Sequence, residues 1–370
     1  MRVISGRRWL PSSIADPAAA RTAMTKLDIC YVGSAAPGST SLQRANALRR
    51  LGHRVSHYDP SSFLNVRQAA VFARHRTGFR FVDSKVRRHL PRIIGEQRFD
   101  VAWVGGGREI GPETVEYLRG RAKTVVNYNN DDPTGGSEGR AWDLYLRALS
   151  AYDLVVVMRE PNVEESRAWG ARDVMRVYMS FDEVEHAPVD LSERERESWA
   201  SDVCFIGVWR PERGPIVAGL LDAGVPLSIW GDRWERAREW PQIRSVWRGP
   251  SVMGADYAAA IQCAKLGLGL LSKGNRDEHT QRSMEIPALG TVLCAERTPE
   301  HSDLYRDGKE AVLWSNSEEC AQVAAQLLEN DARRADIARH GHERVVSSRV
   351  GNEPTMARIL ERALHVSGST

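Results

Sequence analysis

From Leu27 onward the chain alternates short apolar runs of strand type with stretches of helical period, and it runs through this alternation twice. Strands that are continuously apolar and separated by helices imply βαβ units and parallel sheets with helices on both faces. The first series begins with the strand LDICYVGS and the loop AAPGST, followed by the helix SLQRANALRRLG and the strand HRVSHYD. The strand DVAWVGG, the helix PETVEYLRG and the strands TVVNYNNDD, DLVVVM and VMRVYM complete it. The second series has the strand DVCFIGV, the helix RGPIVAGLLDAG, the strand PLSIWG and a helix over Asp256 to Leu266. The strands GLGLL, TVLCAE and AVLW follow, and the remainder reads as helix to about Val366.

At 370 residues the chain exceeds one comfortable core, so two Rossmann-like domains facing a cleft are expected. The boundaries read from composition are a mobile tail over 1–24, a first domain over 25–181 and a linker over 182–201. A second domain covers 202–347 and a C-terminal helix and tail 348–370. Residues 1–24 lack the apolar core of a secretory signal. The five cysteines are scattered and odd in number, which suits free thiols in a reducing cytoplasm and neither a disulfide framework nor a zinc cluster. A net charge of +3 gives no argument for nucleic-acid binding.

Ligands of such sheets bind outside the carboxyl ends of the strands, so the loops there carry the candidates. In FIGVWRPERG a strand ends at Gly207, a loop carries Arg210 and Arg213, and Gly214 opens a helix. Helix amides, the helix dipole and guanidinium forks together suit a diphosphate; a surface turn with two solvated arginines is the plainer alternative. In NRDEHTQRSMEIPALG a loop gathers Arg276, Asp277, His279, Thr280 and Arg282, and a helix carries Glu285. Asp277 and Glu285 lie eight positions apart, which permits one carboxylate in the loop and one on the helix. In the first series the Gly106–Gly107 loop and Asn129, Asn130, Asp131 and Asp132 end strands and would face the cleft. Adjacent acids could orient an acceptor hydroxyl or act as a base. DDP is not a DxD metal motif, and an arginine cradle does not require a metal, so neither metal nor cofactor is expected.

These segments, followed by TPEHSDLYRDGKEAVLW, resemble the donor half of family-4-type GT-B glycosyltransferases, and VNYNNDDP is similar to the first domain of their CgeB-like, spore-maturation-type group. The resemblance implies a GT-B fold whose C-terminal helices pack back towards the first domain. It implies transfer of a sugar from a nucleotide-diphosphate sugar to a hydroxyl acceptor (small molecule, glycan or lipid-linked), with retention of configuration. Arg213 falls on the family's phosphate-binding basic residue, Glu285 on its ribose-binding glutamate and Asp277 on its sugar-facing acid, usually glutamate. Val208 stands where many relatives have arginine, a place that Arg210 or Arg282 could fill. A GT-B-fold sugar-nucleotide epimerase, or a non-catalytic sugar-nucleotide-binding or envelope-associated protein, would keep the same cradle. The basic stretch Asn65 to Arg98 is either a solvated face or a dock for an anionic acceptor or the inner face of a membrane. His301 is expected near the donor. One of Trp209, Trp230, Trp234, Trp240 and Trp247 could stack on a base or sugar, the others being core or rim.

Overall fold

Strands rich in Val, Ile and Leu with no polar alternation must be covered on both faces, and the chain does this with two separate parallel sheets. The computed structural model describes residues 25–64 and 73–367. The expectations for 1–24 and for Asn65–Phe72, including Arg67 and Phe72, fall outside them. The first sheet contains β1 (Asp28–Val32), β2 (Arg54–Tyr58), β3 (Phe99–Gly105), β4 (Ala122–Tyr128), β5 (Leu154–Val157) and β6 (Val174–Arg176). Its order is β2-β1-β3-β4-β5-β6, every pairing parallel, with Cys30 beside Ala102 and Val126 beside Leu154. The second contains β7 (Ser201–Ile206), β8 (Leu227–Trp230), β9 (Trp247–Gly249), β10 (Ala264–Gly269), β11 (Val292–Glu296) and β12 (Val312–Trp314). Its order is β12-β11-β10-β7-β8-β9, again parallel throughout.

The helix Thr40–Arg50 shows how sequence sets local structure. Ser39 caps it by accepting from the Leu42 amide at 3.2 Å, Ala45 and Leu48 bury one face, and Arg49 and Arg50 sit at the negative end of its dipole. Beside it on the first sheet lies the C-terminal helix Asn352–Ser367, whose Met356, Ile359 and Leu360 are buried among Ile29, Trp103 and Val126. Burying each large apolar side chain is worth about 1.5–3 kcal/mol, so this returning helix is part of the first half's core.

The chain therefore crosses between the halves twice. The crossings touch: Phe181 and Gly351 form a parallel bridge, and the Asn352 amide donates to Phe181 O at 2.8 Å. Ser180 Oγ donates to Asn352 Oδ1 at 2.6 Å, and Asn352 Nδ2 to Asp182 Oδ2 at 3.0 Å. Arg50 braces this point through Asp182, Glu183 and Glu353 at 2.6–3.1 Å.

Three elements differ from the sequence reading. The helix expected over Asp256–Leu266 spans Gly254–Gln262, because the chain turns at Cys263 and Ala264 starts β10. The stretch Ser180–Ser201 contains a helix, Glu193–Trp199, which buries no side chain and stands on a capping box between Ser192 and Glu195. The edge strand β9, two of whose three residues are exposed, carries no apolar run to signal it.

Candidate functional site

The carboxyl ends of both sheets face one another across a cavity of about 690 Å³. Loops that follow β1 to β6 form one wall, and loops that follow β7 and β10 the other. Gly106 (φ +77°) and Gly107 (φ +106°) follow β3 in the left-handed region. A Cβ on Gly107 would stand 3.0 Å from Asn127 Nδ2, and that nitrogen fixes the loop by donating to Gly106 O at 3.0 Å.

On the second wall Arg213 is almost fully buried, and its guanidinium donates to the carbonyls of Val208 (2.8 Å), Leu270 (3.0 Å) and Leu271 (3.1 Å). Burial, with the charge of Arg282 nearby, brings its pKa down to about 10, so it stays cationic at neutral pH. Arg282 Nε donates to Ile206 O, and its guanidinium lies 5.7 Å from the centre of the Phe205 ring. A Cβ on Gly207 would come 3.2 Å from the Arg282 guanidinium and 2.8 Å from Phe205, so the glycine lets these groups approach the β7 terminus. Arg210 faces the cavity, and its side chain forms no ion pair or hydrogen bond among the described residues. Thr280 also lines the cavity, and its buried Oγ1 has no hydrogen-bond partner among them.

The first wall carries carboxylates. Asp131 and Glu109 both line the cavity, and both are held above the usual carboxylate range. For each the largest cause is loss of hydration in the cleft, opposed by the charge of Arg108, which lies 3.7 Å from Asp131. Half of the Asp131 side chain (52%) still meets water, so its displacement is smaller than enclosure by protein alone would give. The charges of Arg159 and Arg210 also reach Asp131, which places it between the walls. Arg108 is stacked 4.0 Å over Trp142.

Several residues expected to face a substrate join the two halves instead. Arg276 bonds Asp132 through Nε at 2.6 Å and Nη2 at 2.7 Å, and Glu165 through Nη1 at 2.7 Å and Nη2 at 2.8 Å. Asp132 is also held by Asn162 (2.8 Å) and the Gly135 amide (3.0 Å), its side chain has no exposed surface, and it lies off the cavity. Burial pushes the Asp132 carboxyl up, but bonds from Arg276 and Asn162 outweigh it and hold the group below the usual range. A carboxylate so committed is not a free base. Asp277 reaches the cavity, yet its carboxylate is taken by Arg159, with Nε at 2.9 Å, and both partners are buried. Burial raises the Asp277 pKa against the opposing charge of Arg159.

His279 accepts from the Met179 amide at 2.9 Å through Nε2, so Nδ1 carries the hydrogen that it shares with Glu300. Glu300 in turn binds Arg176 of β6. Glu285 lies behind the wall, where it accepts from the Tyr257 hydroxyl and sits 3.4 Å from His186 Nε2, so its carboxylate is not on the cavity surface. His301 is fully buried against Ser283 Oγ (2.7 Å) and Glu296 O (2.6 Å), and burial lowers its pKa to about 4. Asn129 and Asn130 line the cavity, and Asn130 O accepts from Arg159 at 2.8 Å. The five tryptophans do not line it; Trp234 is core and donates to Gly207 O at 3.0 Å. In the basic stretch, Lys85, Arg87 and Arg88 are exposed on the helix Val82–Ile94, and Arg87 meets Glu113 at 3.5 Å. No helix among the described residues is long and apolar enough to cross a membrane.

Sequence reasoning missed Arg159, Glu109 and Arg44. Arg159 was signalled by its place two residues beyond β5, and Arg44 by its position in the stripe Ser41, Ala45, Leu48 that the helix buries.

Comparison with known proteins places this geometry. Sucrose-phosphate synthase from Thermosynechococcus elongatus superposes with a TM-score of 0.65 at 12% identity, over 91% of this chain and 99% of that one. The Anabaena protein HepE in complex with UDP-glucose gives 0.63 at 14% identity, over 91% and 100%. A UDP-forming α,α-trehalose-phosphate synthase from Burkholderia xenovorans, in complex with glucose-6-phosphate, gives 0.61 at 11%, over 91% and 99%. The fold is GT-B. Within this GT-B chain, residues 214–361 match the family model described as "Glycosyl transferase-like". That match begins after the β7 loop and takes in the helix Arg282–Ala288 and most of the returning helix. No curated protein sequence matches the chain.

Proposed function

We propose that the chain transfers a sugar from a nucleotide-diphosphate sugar to a hydroxyl acceptor in this cleft, with retention of configuration and without a metal ion, as a member of the CgeB-like group. The observation that carries the reading is the convergence of Arg210, Arg213 and Arg282 on one cavity wall, with Arg213 and Arg282 held in place by backbone carbonyls. Charge develops on the leaving diphosphate as the glycosidic bond breaks, and fixed cations stabilise that charge more than they stabilise the bound substrate. Three guanidinium groups offer the positive charge that a metal supplies in other sugar transferases. The UDP-glucose bound by HepE suits such a wall.

In the reaction the acceptor oxygen bonds to the anomeric carbon on the face that the diphosphate leaves, so that configuration is retained, as the bond from that carbon to the β-phosphate oxygen breaks and its electron pair goes with the diphosphate. The acceptor proton goes to Asp131, whose raised pKa and place between the walls suit a base. Glu109 orients the acceptor hydroxyls.

The test is a melting-temperature screen against UDP, GDP, ADP, CDP and dTDP and their sugars, because a ligand of the native state stabilises it by RT ln(1 + [L]/Kd). One nucleotide should raise the melting temperature of the wild type and fail to do so with Arg210→Ala. Its sugar, with an acceptor and EDTA present, should yield a glycoside of unchanged anomeric configuration by NMR. No shift with any nucleotide would sink the reading; transfer abolished by EDTA, or an inverted product, would remove the corresponding clause.

A further inference from the structure

Arg44 lies on the wall opposite the three arginines of the β7 and β10 loops. It is 4% exposed and points into the cleft from the buried stripe of the helix Thr40–Arg50. A guanidinium removed from water is costly unless an anion faces it. Among the described residues no carboxylate does. Nη2 donates to Thr40 Oγ1 at 3.1 Å, the guanidinium lies 4.3 Å over the Tyr128 ring with the Tyr31 phenol beside it, and the buried Nε has no hydrogen-bond partner. The nearby Asp59 is committed to the Ala35 and Ser61 amides, at 2.8 Å each.

The helix supplies a second, independent reason to expect an anion. Nη2 reaches back to its first turn, where Ser39, Thr40 and Ser41 all line the cavity and no acidic residue is present. The first amides of a helix have no partners within it, and the dipole there favours negative charge. Ser39 Oγ donates to Ser34 O and caps the Leu42 amide, and Ser41 Oγ donates to the Tyr31 hydroxyl, so the groups that meet here with a proton to give are the Thr40 hydroxyl, the amides of Thr40 and Ser41 and the Arg44 guanidinium.

We propose that Thr40, Ser41 and Arg44 form an anion subsite, so that the acceptor carries an anionic group of its own, a phosphate ester or a carboxylate, in addition to the hydroxyl that is glycosylated. This rests on the transferase reading, in which the opposite wall takes the donor diphosphate. The subsite holds the acceptor's anion while Glu109 and Asp131, on the same wall, meet its hydroxyls.

The test is calorimetry on the full chain, saturated with the nucleoside diphosphate that binds, using glucose 6-phosphate, glucuronate and glucose as probes. One anionic probe should bind at least tenfold more tightly than glucose, and which one does so identifies phosphate or carboxylate. Arg44→Met should weaken that probe by about 10- to 100-fold, the range for a hydrogen-bonded charge, and leave nucleoside diphosphate affinity within about twofold. Removing an unpaired buried cation should also leave the unliganded melting temperature no lower than that of the wild type. If Arg44→Met does not fold, Thr40→Val, which removes the hydroxyl that steers Nη2, should weaken the same probe several-fold. Equal affinity for glucose and both anions, or an anion affinity untouched by both variants, would overturn the proposal. An equal loss of nucleoside diphosphate binding would overturn it too, by assigning Arg44 to the donor. Anionic probes that bind where every nucleoside diphosphate fails would sink the transferase reading and leave the subsite standing.

Discussion

On the second wall of the cleft, Arg213 and Arg282 are fastened to backbone carbonyls, so that positive charge is fixed before any ligand arrives. The first wall sets two carboxylates, Asp131 and Glu109, beside Arg108, which stands 3.7 Å from Asp131, and adds Arg44, a buried cation that no carboxylate faces among the described residues. On the proposed transferase reading the difference corresponds to two tasks. Stabilising a leaving diphosphate needs dipoles that do not reorganise, whereas taking a proton needs a group whose charge is poorly satisfied.

The comparison can be broken most decisively at Asp131. Asp131→Asn should lower kcat by about 10²- to 10⁴-fold, the usual contribution of a positioned base, and leave nucleotide affinity unchanged. A variant that loses nucleotide binding in proportion to turnover would move Asp131 to the donor side. Arg213 tests the opposite wall. In Arg213→Met the carbonyls of Val208, Leu270 and Leu271 lose their donor, and at about 1–3 kcal/mol for each unsatisfied buried group urea unfolding should show a loss of about 3 kcal/mol or more, together with weaker nucleotide binding. A fully stable variant would show that the tethering is dispensable.

The smallest effect lies between the walls. Arg276→Ala leaves the buried Asp132 without its partner, for which about 1–3 kcal/mol is expected once the partial exposure of Arg276 is allowed for. Asp132 and Glu165 are held below their ordinary pKa, so their contribution is present above the unfolded values of about 4 and disappears as pH falls through the folded ones. The wild type and Arg276→Ala should therefore differ in urea midpoint at pH 7, and the gap should start to close below about pH 4 and go on closing as pH falls through the folded values. A gap that does not narrow at all in acid would mean that the arginine acts through packing. Asp277 has the opposite sign: its folded pKa is raised, so its own titration favours the fold at low pH and loses that effect as pH rises through the folded value.

Most of the fold is legible in the sequence because its strands are buried on both faces, and runs such as DVAWVGG and DLVVVM have no other place to go. What is missed lies where burial gives no signal: β9 at an exposed edge, and the helix Glu193–Trp199, whose Ser192 and Glu195 nonetheless carry the capping pattern. The site is legible as a set of loops and less so as a set of partners. Arg210, Arg213, Thr280, Arg282, Asp131 and the Gly106–Gly107 turn all face the cavity as their positions after strands suggest. That Arg276 would seize Asp132, and Arg159 would seize Asp277, depends on contacts 144 and 118 residues apart, which no local pattern encodes.

The paired crossings at Phe181 and Gly351 give the molecule a door hung on two adjacent pins. One connecting strand would let the halves swivel and slide. Two, laced together by Asn352 and braced by Arg50, hold the halves in register at this edge, and any swing about it must break the pairs Arg276–Asp132 and Arg159–Asp277 that join the halves elsewhere. A protease cut within 183–200 would accordingly leave the two pieces associated, because the second would still hold the first by the returning helix.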